Sequence, residues 1–213
     1  DRQVQIHSSG RGLEAWVDVT VRVPAGKKLE FRHGAGRITA SNVQADLLLD
    51  SCVGSVEVEG VRGQISVDTG SGEVSAREID GDLAIDTGSG SVTLARCRGG
   101  RVSVDTGSGS VDAEGIQADD LKIDTGSGRV TVALTRMGKG SFVIDTGSGS
   151  IDFQVPPDAS ADIRADTGSG DISLDLAQAK LRRQDRDEVA VTLGNGEAKV
   201  RLDTGVGSIH ITQ

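Results

Sequence analysis

The sequence predicts an all-β fold, a single-chain β-solenoid (β-helix) of about nine coils with 18–21 residue repeats and essentially no helix. Three observations predict it. The run Asp-Thr-Gly-Ser-Gly starts at Asp68, Asp86, Asp105, Asp124, Asp145 and Asp166, and a Val-for-Ser copy starts at Asp203. Apolar residues keep a fixed phase on both sides of every copy. No 3.6-residue periodicity persists, and aromatic residues are only 2% of the chain, which suits a core too narrow for wide rings.

Each element of the repeat has a local reason. Two looser copies, Arg32-His33-Gly34-Ala35-Gly36 and Asp50-Ser51-Cys52-Val53-Gly54, lie upstream and bring the count to nine. Three and one residues before the Asp stand pairs such as Leu29/Phe31, Ile65/Val67, Phe142/Ile144 and Val200/Leu202. Six and eight residues after it stand pairs such as Ile38/Ala40, Val74/Ala76, Ile151/Phe153, Ile172/Leu174 and Ile209/Ile211. All 36 such positions, four in each of nine copies, are apolar in a chain that is 36% hydrophobic. Alternation at period two on both sides of a reversal means two strands per repeat, each with one inward face. Glycine recurs four residues after the Asp, at Gly36, Gly54, Gly72, Gly90, Gly109, Gly128, Gly149, Gly170 and Gly207. Two residues after the Asp it recurs in eight copies, with Cys52 the exception. Both glycines are expected to supply the positive φ of a tight reversal.

A repeat of about 19 residues cannot bury its own apolar face, so it must stack on its neighbours. Stacking in register places equivalent residues about 4.8 Å apart and makes a rod of about 40 Å. A second corner is marked by Val43, Val61, Ile79, Cys97 and Ile116, followed two residues later by Ala45, Gly63, Gly81, Gly99 and Ala118. Right-handedness is expected by analogy with other β-helices.

The whole of 1–213 reads as one domain. Residues 1–28 form an N-terminal strand and cap region, with an alternating strand from Trp16 to Val23 closed by Pro24-Ala25-Gly26. Regular coils fill 29–175, a charged, exposed loop is inserted at 176–188, and 189–213 make the C-terminal coil.

The chemistry-bearing residues point away from catalysis. Hydrophobic-Asp-Thr-Gly-Ser is the signature of aspartic proteases, but that chemistry needs two carboxylates meeting across a two-fold axis. Copies stacked along one edge do not provide this, so the protease reading is rejected. An Asx-type cap within its own turn is the expected role of each Asp. Stacked carboxylates would repel one another, and calcium could relieve the repulsion. Asp68, Asp86, Asp105, Asp124, Asp145 and Asp166 are therefore the calcium candidates, although the spacing is not that of calcium-binding solenoid repeats. His7, His33 and His210 fall in no metal-ligand spacing, and Cys52 and Cys97 stand too far apart in the stack for a disulfide. No nucleotide-binding glycine motif occurs, and no cofactor is expected. A net charge of −9 argues against nucleic acid and anionic lipid as partners.

The succession Val21-Arg22-Val23-Pro24-Ala25-Gly26, the Gly-x-Gly coils, Leu193-Gly194-Asn195-Gly196 and a last Asp203-Thr204-Gly205-Val206-Gly207 resembles the bacterial DUF4097 family, which carries an adhesin label. The resemblance covers nearly the whole chain. It implies a β-solenoid found in exported or cell-envelope proteins, in the periplasm, at the cell surface or outside the cell, and it brings no catalytic residues. The chain begins at Asp1 without Met, so a signal or anchor segment removed, or a trimmed sequence, is expected. The function expected is that of a non-catalytic scaffold, adhesin-like binding surface or assembly subunit. Its partner would be an envelope protein, a second copy, or a glycan. The alternative is a carbohydrate-active β-helix enzyme, for which only the 176–188 segment could supply a cleft loop.

Overall fold

The computed structural model describes residues 18–177 and 179–213, and among them there is no helix. Seven coils follow one another in sequence order, each with a strand on the first face and a strand on the second. The first four are β1 (Lys28–Ala35) with β2 (Ile38–Ser41), β3 (Asp46–Val53) with β4 (Val56–Glu59), β5 (Ile65–Ser71) with β6 (Val74–Arg77), and β7 (Leu83–Ser89) with β8 (Val92–Ala95). Next, β9 (Arg98–Ser108) leads into β10 (Val111–Ser127), a long strand that bends from the second face of one coil into the first face of the next. Then come β11 (Val130–Met137), and β12 (Ser141–Ser148) with β13 (Ile151–Gln154). All pair in parallel without slippage along the Asp column: Asp50 lies opposite Asp68, Asp68 opposite Asp86, Asp86 opposite Asp105, and Asp124 opposite Asp145.

The last two repeats break the expected order. The remaining strands are β14 (Ala161–Thr167), β15 (Ile172–Asp175), β16 (Lys180–Gln184), β17 (Glu188–Leu193), β18 (Ala198–Val206) and β19 (Ile209–Thr212). The C-terminal coil does not stack on the repeat that precedes it from outside. Instead β18 lies between β12 and β14, pairing in parallel with both, and β19 lies between β13 and β15. The nine-coil expectation is thus met by about seven consecutive turns and two levels taken in reverse order.

Burial follows space rather than sequence. Of the apolar ladder positions, only Leu29, Phe31 and Ala40 in the first coil and Ile172 and Leu174 in β15 are half-buried. Ile209 and Ile211 of the last repeat in sequence are fully buried. Each buried Val, Leu or Ile contributes roughly 1.5–3 kcal/mol, so the ladders supply the main stabilisation of this Gly-rich backbone.

Two expectations are corrected. Residues 176–188 do not form a loop: they contain β16 and the start of β17, an antiparallel hairpin whose second strand closes the outer edge of β14. The overlooked signal is the alternation Val189, Val191, Leu193, which buries against the outer rim of the stack. The fully exposed, charged β16 then forms the terminal edge, where Lys and Arg discourage pairing with another chain. At the other end residues 18–23 are not a strand; 18–22 are exposed, a turn follows at Ala25-Gly26, and the rest of the expected strand, including Trp16, lies outside the described residues. No helix of the described residues is long and apolar enough to cross a membrane.

Candidate functional site

The recurring Asp-Thr-Gly-Ser run is not a turn. It continues the first-face strand through to the Ser in the copies from Asp68 to Asp145, to Val206 in the Asp203 copy and to Thr167 in the Asp166 copy, so the period-two alternation extends one step further than the apolar pairs showed. Thr69, Thr87, Thr106, Thr125, Thr146, Thr167 and Thr204 therefore point inward and are buried, while the neighbouring Asp points out. The hydroxyls of Thr106, Thr125, Thr146, Thr204 and Thr167 donate to the carbonyls of Gly90, Gly109, Gly128, Gly149 and Gly207, each on the adjoining level. Those of Thr69 and Thr87 have no partner. His33 occupies the same column in the first coil, level with Ser51.

The two glycines have different causes. Only the second has positive φ, for example 149° at Gly109 and 151° at Gly207. The first lies extended, and it is Gly because of close approach: a Cβ on Gly107 would stand 2.6 Å from the carbonyl oxygen of Gly88. At the second column the approach is closer still: a Cβ on Gly109 would overlap the carbonyl oxygen of Gly90. The pattern also reads out the exchanged order, since Gly207 lies over Gly149 and Gly170 lies over Gly207.

The Asx-cap expectation fails for this Asp column, because a mid-strand outward side chain is held away from its own backbone. Backbone capping falls to a different column four residues upstream. Asp46, Asp82 and Asp120 accept from the backbone N–H of Gln64, Arg101 and Ser141, each on the next level. The outward carboxylates of Asp50, Asp68, Asp86, Asp105, Asp124, Asp145, Asp203 and Asp166 are successive rungs of one ladder. Desolvation, and then the neighbours Asp105 and Asp68, raise the pKa of Asp86. Desolvation, followed by Asp203 and Asp124, raises that of Asp145, against the opposing pull of Arg201 and Lys122. The calcium candidates Asp68, Asp86, Asp105, Asp124, Asp145 and Asp166 thus repel one another in line. Among the described residues no three His, Cys, Asp or Glu side chains converge to hold a metal ion. Nor do two of these carboxylates face each other across an axis as a protease would require.

The other lateral feature is a groove of about 720 Å³ along the second corner. Its floor is the apolar column with Ile79 and Cys97; its walls are outward polar rungs. One wall contains Gln44, Arg62, Asp80, Arg98 and Gln117, of which Arg62, Asp80, Arg98 and Gln117 pair in successive register. The opposite wall is a column of left-handed residues, Asn42 (φ 53°), Gly60 (63°), Glu78 (54°), Arg96 (54°) and Gly115 (67°). Asp80 sits between Arg62 (3.8 Å) and Arg98 (2.8 Å), whose hydrogen bond and positive charge lower its pKa. Arg96 bonds Glu78 at 3.0 Å. These pairs are exposed and screened by solvent, so their role is to fix side-chain positions rather than to stabilise the fold.

Both cysteines are free: Cys52 is exposed, and Cys97 is a buried core residue whose thiol is pushed up to about 11 chiefly by burial. His210 lies level with Asp152 and Ser173, and its Nδ1 is 2.6 Å from the Ser173 hydroxyl on the adjoining level.

No curated protein and no solved structure matches the chain. The Toastrack DUF4097 family model matches residues 15–212, so a repeat of buried Thr, outward Asp and close-packed Gly stacked over nearly the whole chain has a family context: the protein belongs to the Toastrack DUF4097 family.

Proposed function

We propose that this chain is a non-catalytic scaffold of the bacterial envelope whose second-corner groove binds a protein partner or a glycan. The observation that carries the reading is the register of the groove walls. Backbone pairing spaces Arg62, Asp80, Arg98 and Gln117 one level apart, and the Asp80 carboxylate holds the Arg62 and Arg98 guanidiniums in place before any ligand arrives, which lowers the entropic cost of binding. Such an array donates repeatedly to carbonyl or hydroxyl oxygens spaced along an extended chain. The envelope setting and the adhesin-like role rest on the family resemblance. The 176–188 segment, on which the enzyme alternative depends for a cleft loop, is a hairpin at the end of the stack and does not line this groove.

The test is affinity capture with the tagged chain from its native envelope in mild detergent, paralleled by a glycan array. Arg62→Glu with Arg98→Glu is expected to abolish capture, and Thr131→Glu on the second face outside the groove to leave it intact. Equal capture by both variants, or breakdown of a polysaccharide by the purified chain, would refute the reading.

A further inference from the structure

The exchanged coil order divides the stack at one level. Coils one to seven form one body, and residues 161–213 form a second, in which β14 is flanked by β18 on one side and by the β16–β17 hairpin on the other. Asp162 ties this second body together: its carboxylate accepts from Thr192 Oγ1 at 2.8 Å and Lys199 Nζ at 2.7 Å, and lies 3.2 Å from Arg182. Ser160 Oγ accepts from the backbone N–H of Asn195 at 3.0 Å and so pins the turn that carries the chain across the end of β14.

The strand ladders joining the two bodies are β12–β18 and β13–β19. The covalent link is Val155-Pro156-Pro157-Asp158-Ala159-Ser160, six residues that must climb two levels where every earlier connection climbs one. Its two prolines donate no backbone hydrogen bond, and the chain crosses the C-terminus there, where Gln213 Nε2 bonds the Pro157 carbonyl at 2.9 Å. Six residues reach about 20 Å when extended.

We propose that the interaction surface formed by β12–β13 and β18–β19 also joins two copies of this chain, by reciprocal exchange of residues 161–213 about the 155–160 hinge. The face offered by coil seven is the same in either copy, because the two chains are identical and each carries the same β12 and β13 rungs. The C-terminal body of a partner therefore meets the same register, Ser148 opposite Val206 and Phe153 opposite Ile211, as the chain's own does. Exchange creates no new contact chemistry except in the hinge, which is why it is a low-cost route to a closed dimer. The inference is independent of what the groove binds.

The experiment uses the full chain with Cys52→Ser. One sample carries Ser148→Cys and another Val206→Cys; the two are unfolded, mixed at millimolar concentration, refolded, oxidised and sized. Expected is a species of twice the monomer mass containing a mixed disulfide between the two variants, with the strand content of the parent. A second variant lacking Pro157, Asp158 and Ala159 shortens the hinge and is expected to shift the population wholly to this dimer. Recovery of monomer alone across the concentration range, or a dimer without the mixed disulfide, would overturn the proposal even if the shortened variant does not fold.

Discussion

Residues 28–154 and residues 161–213 contain the same repeat, yet they use it differently. In the first region each coil stacks on the one before it in sequence. In the second, the last coil slips beneath its predecessor, and the vacated outer edge is closed by an antiparallel hairpin. The difference teaches that the motif specifies which residues form a rung, while the connections specify which coil is its neighbour. From the third coil onward every level presents an inward Thr and paired glycines to the next, so neighbour choice there has little basis in the rungs themselves. It is decided by the long excursion between Thr167 and Asp203, which gives the chain enough length to return.

The comparison can be broken first at the glycines. Gly109→Ala places a methyl group against the Gly90 carbonyl and is expected to cost about 4 kcal/mol or more, or to prevent folding. Gly36→Ala, on the open first level where only the His33 ring approaches, is expected to cost about 1 kcal/mol. Urea titration followed by circular dichroism distinguishes them.

The next effect separates spatial from sequential order. Ile209→Ala deletes a fully buried side chain and is expected to cost about 2–5 kcal/mol, against about 1 kcal/mol for Ile172→Ala at the half-buried end. Sequential stacking predicts the reverse ranking, so the two midpoints decide between them.

Smaller again is the effect of the Thr column. Thr125→Val removes a hydroxyl that donates to the Gly109 carbonyl and is expected to cost about 1 kcal/mol. Thr69→Val removes one without a partner and is expected to be neutral or slightly stabilising.

The smallest effects are electrostatic and opposite in sign. Asp86 has a raised folded pKa, so its ionisation opposes folding: this contribution to stability rises as pH falls through the folded value towards the unfolded one. Asp162 has a lowered pKa, held down first by Lys199, so it stabilises above the unfolded value and that stability is lost as pH falls through the folded one. Asp86→Asn is therefore expected to raise the melting temperature slightly at pH 7 and Asp162→Asn to lower it. Added salt should shrink the Asp162 difference more than that of Asp86, whose shift comes first from desolvation, and thermal melts between pH 3 and 7 check the directions.

Much of this architecture was legible in the sequence because apolar period-two pairs such as Ile65/Val67 and Val74/Ala76 have only one inward face. The inward Thr was equally legible, being two residues beyond Val67, but Gly-rich neighbours made the run look like a turn. The exchanged order was not legible, because Asp203 and Asp166 carry nearly the same motif and pairing between like rungs leaves no trace in composition. The hairpin was hidden by charge: Arg182, Arg183 and Asp185 are outward residues of strands or their turn, and they resemble a solvated loop. The groove was half visible, since Val61, Ile79 and Cys97 announced its floor while its walls depend on which corner residues adopt left-handed backbone.

The exchanged order itself is tested most directly by two pairs of cysteines within one chain, each in a Cys52→Ser background. Ser148 lies one level from Val206, about 4.8 Å away, and two levels from Ser169, about 10 Å away. Ser148→Cys with Val206→Cys is expected to oxidise to an intramolecular disulfide in the dilute folded monomer, and Ser148→Cys with Ser169→Cys to remain reduced. A disulfide in the second pair and not the first would show coils stacked in sequence order and contradict the account.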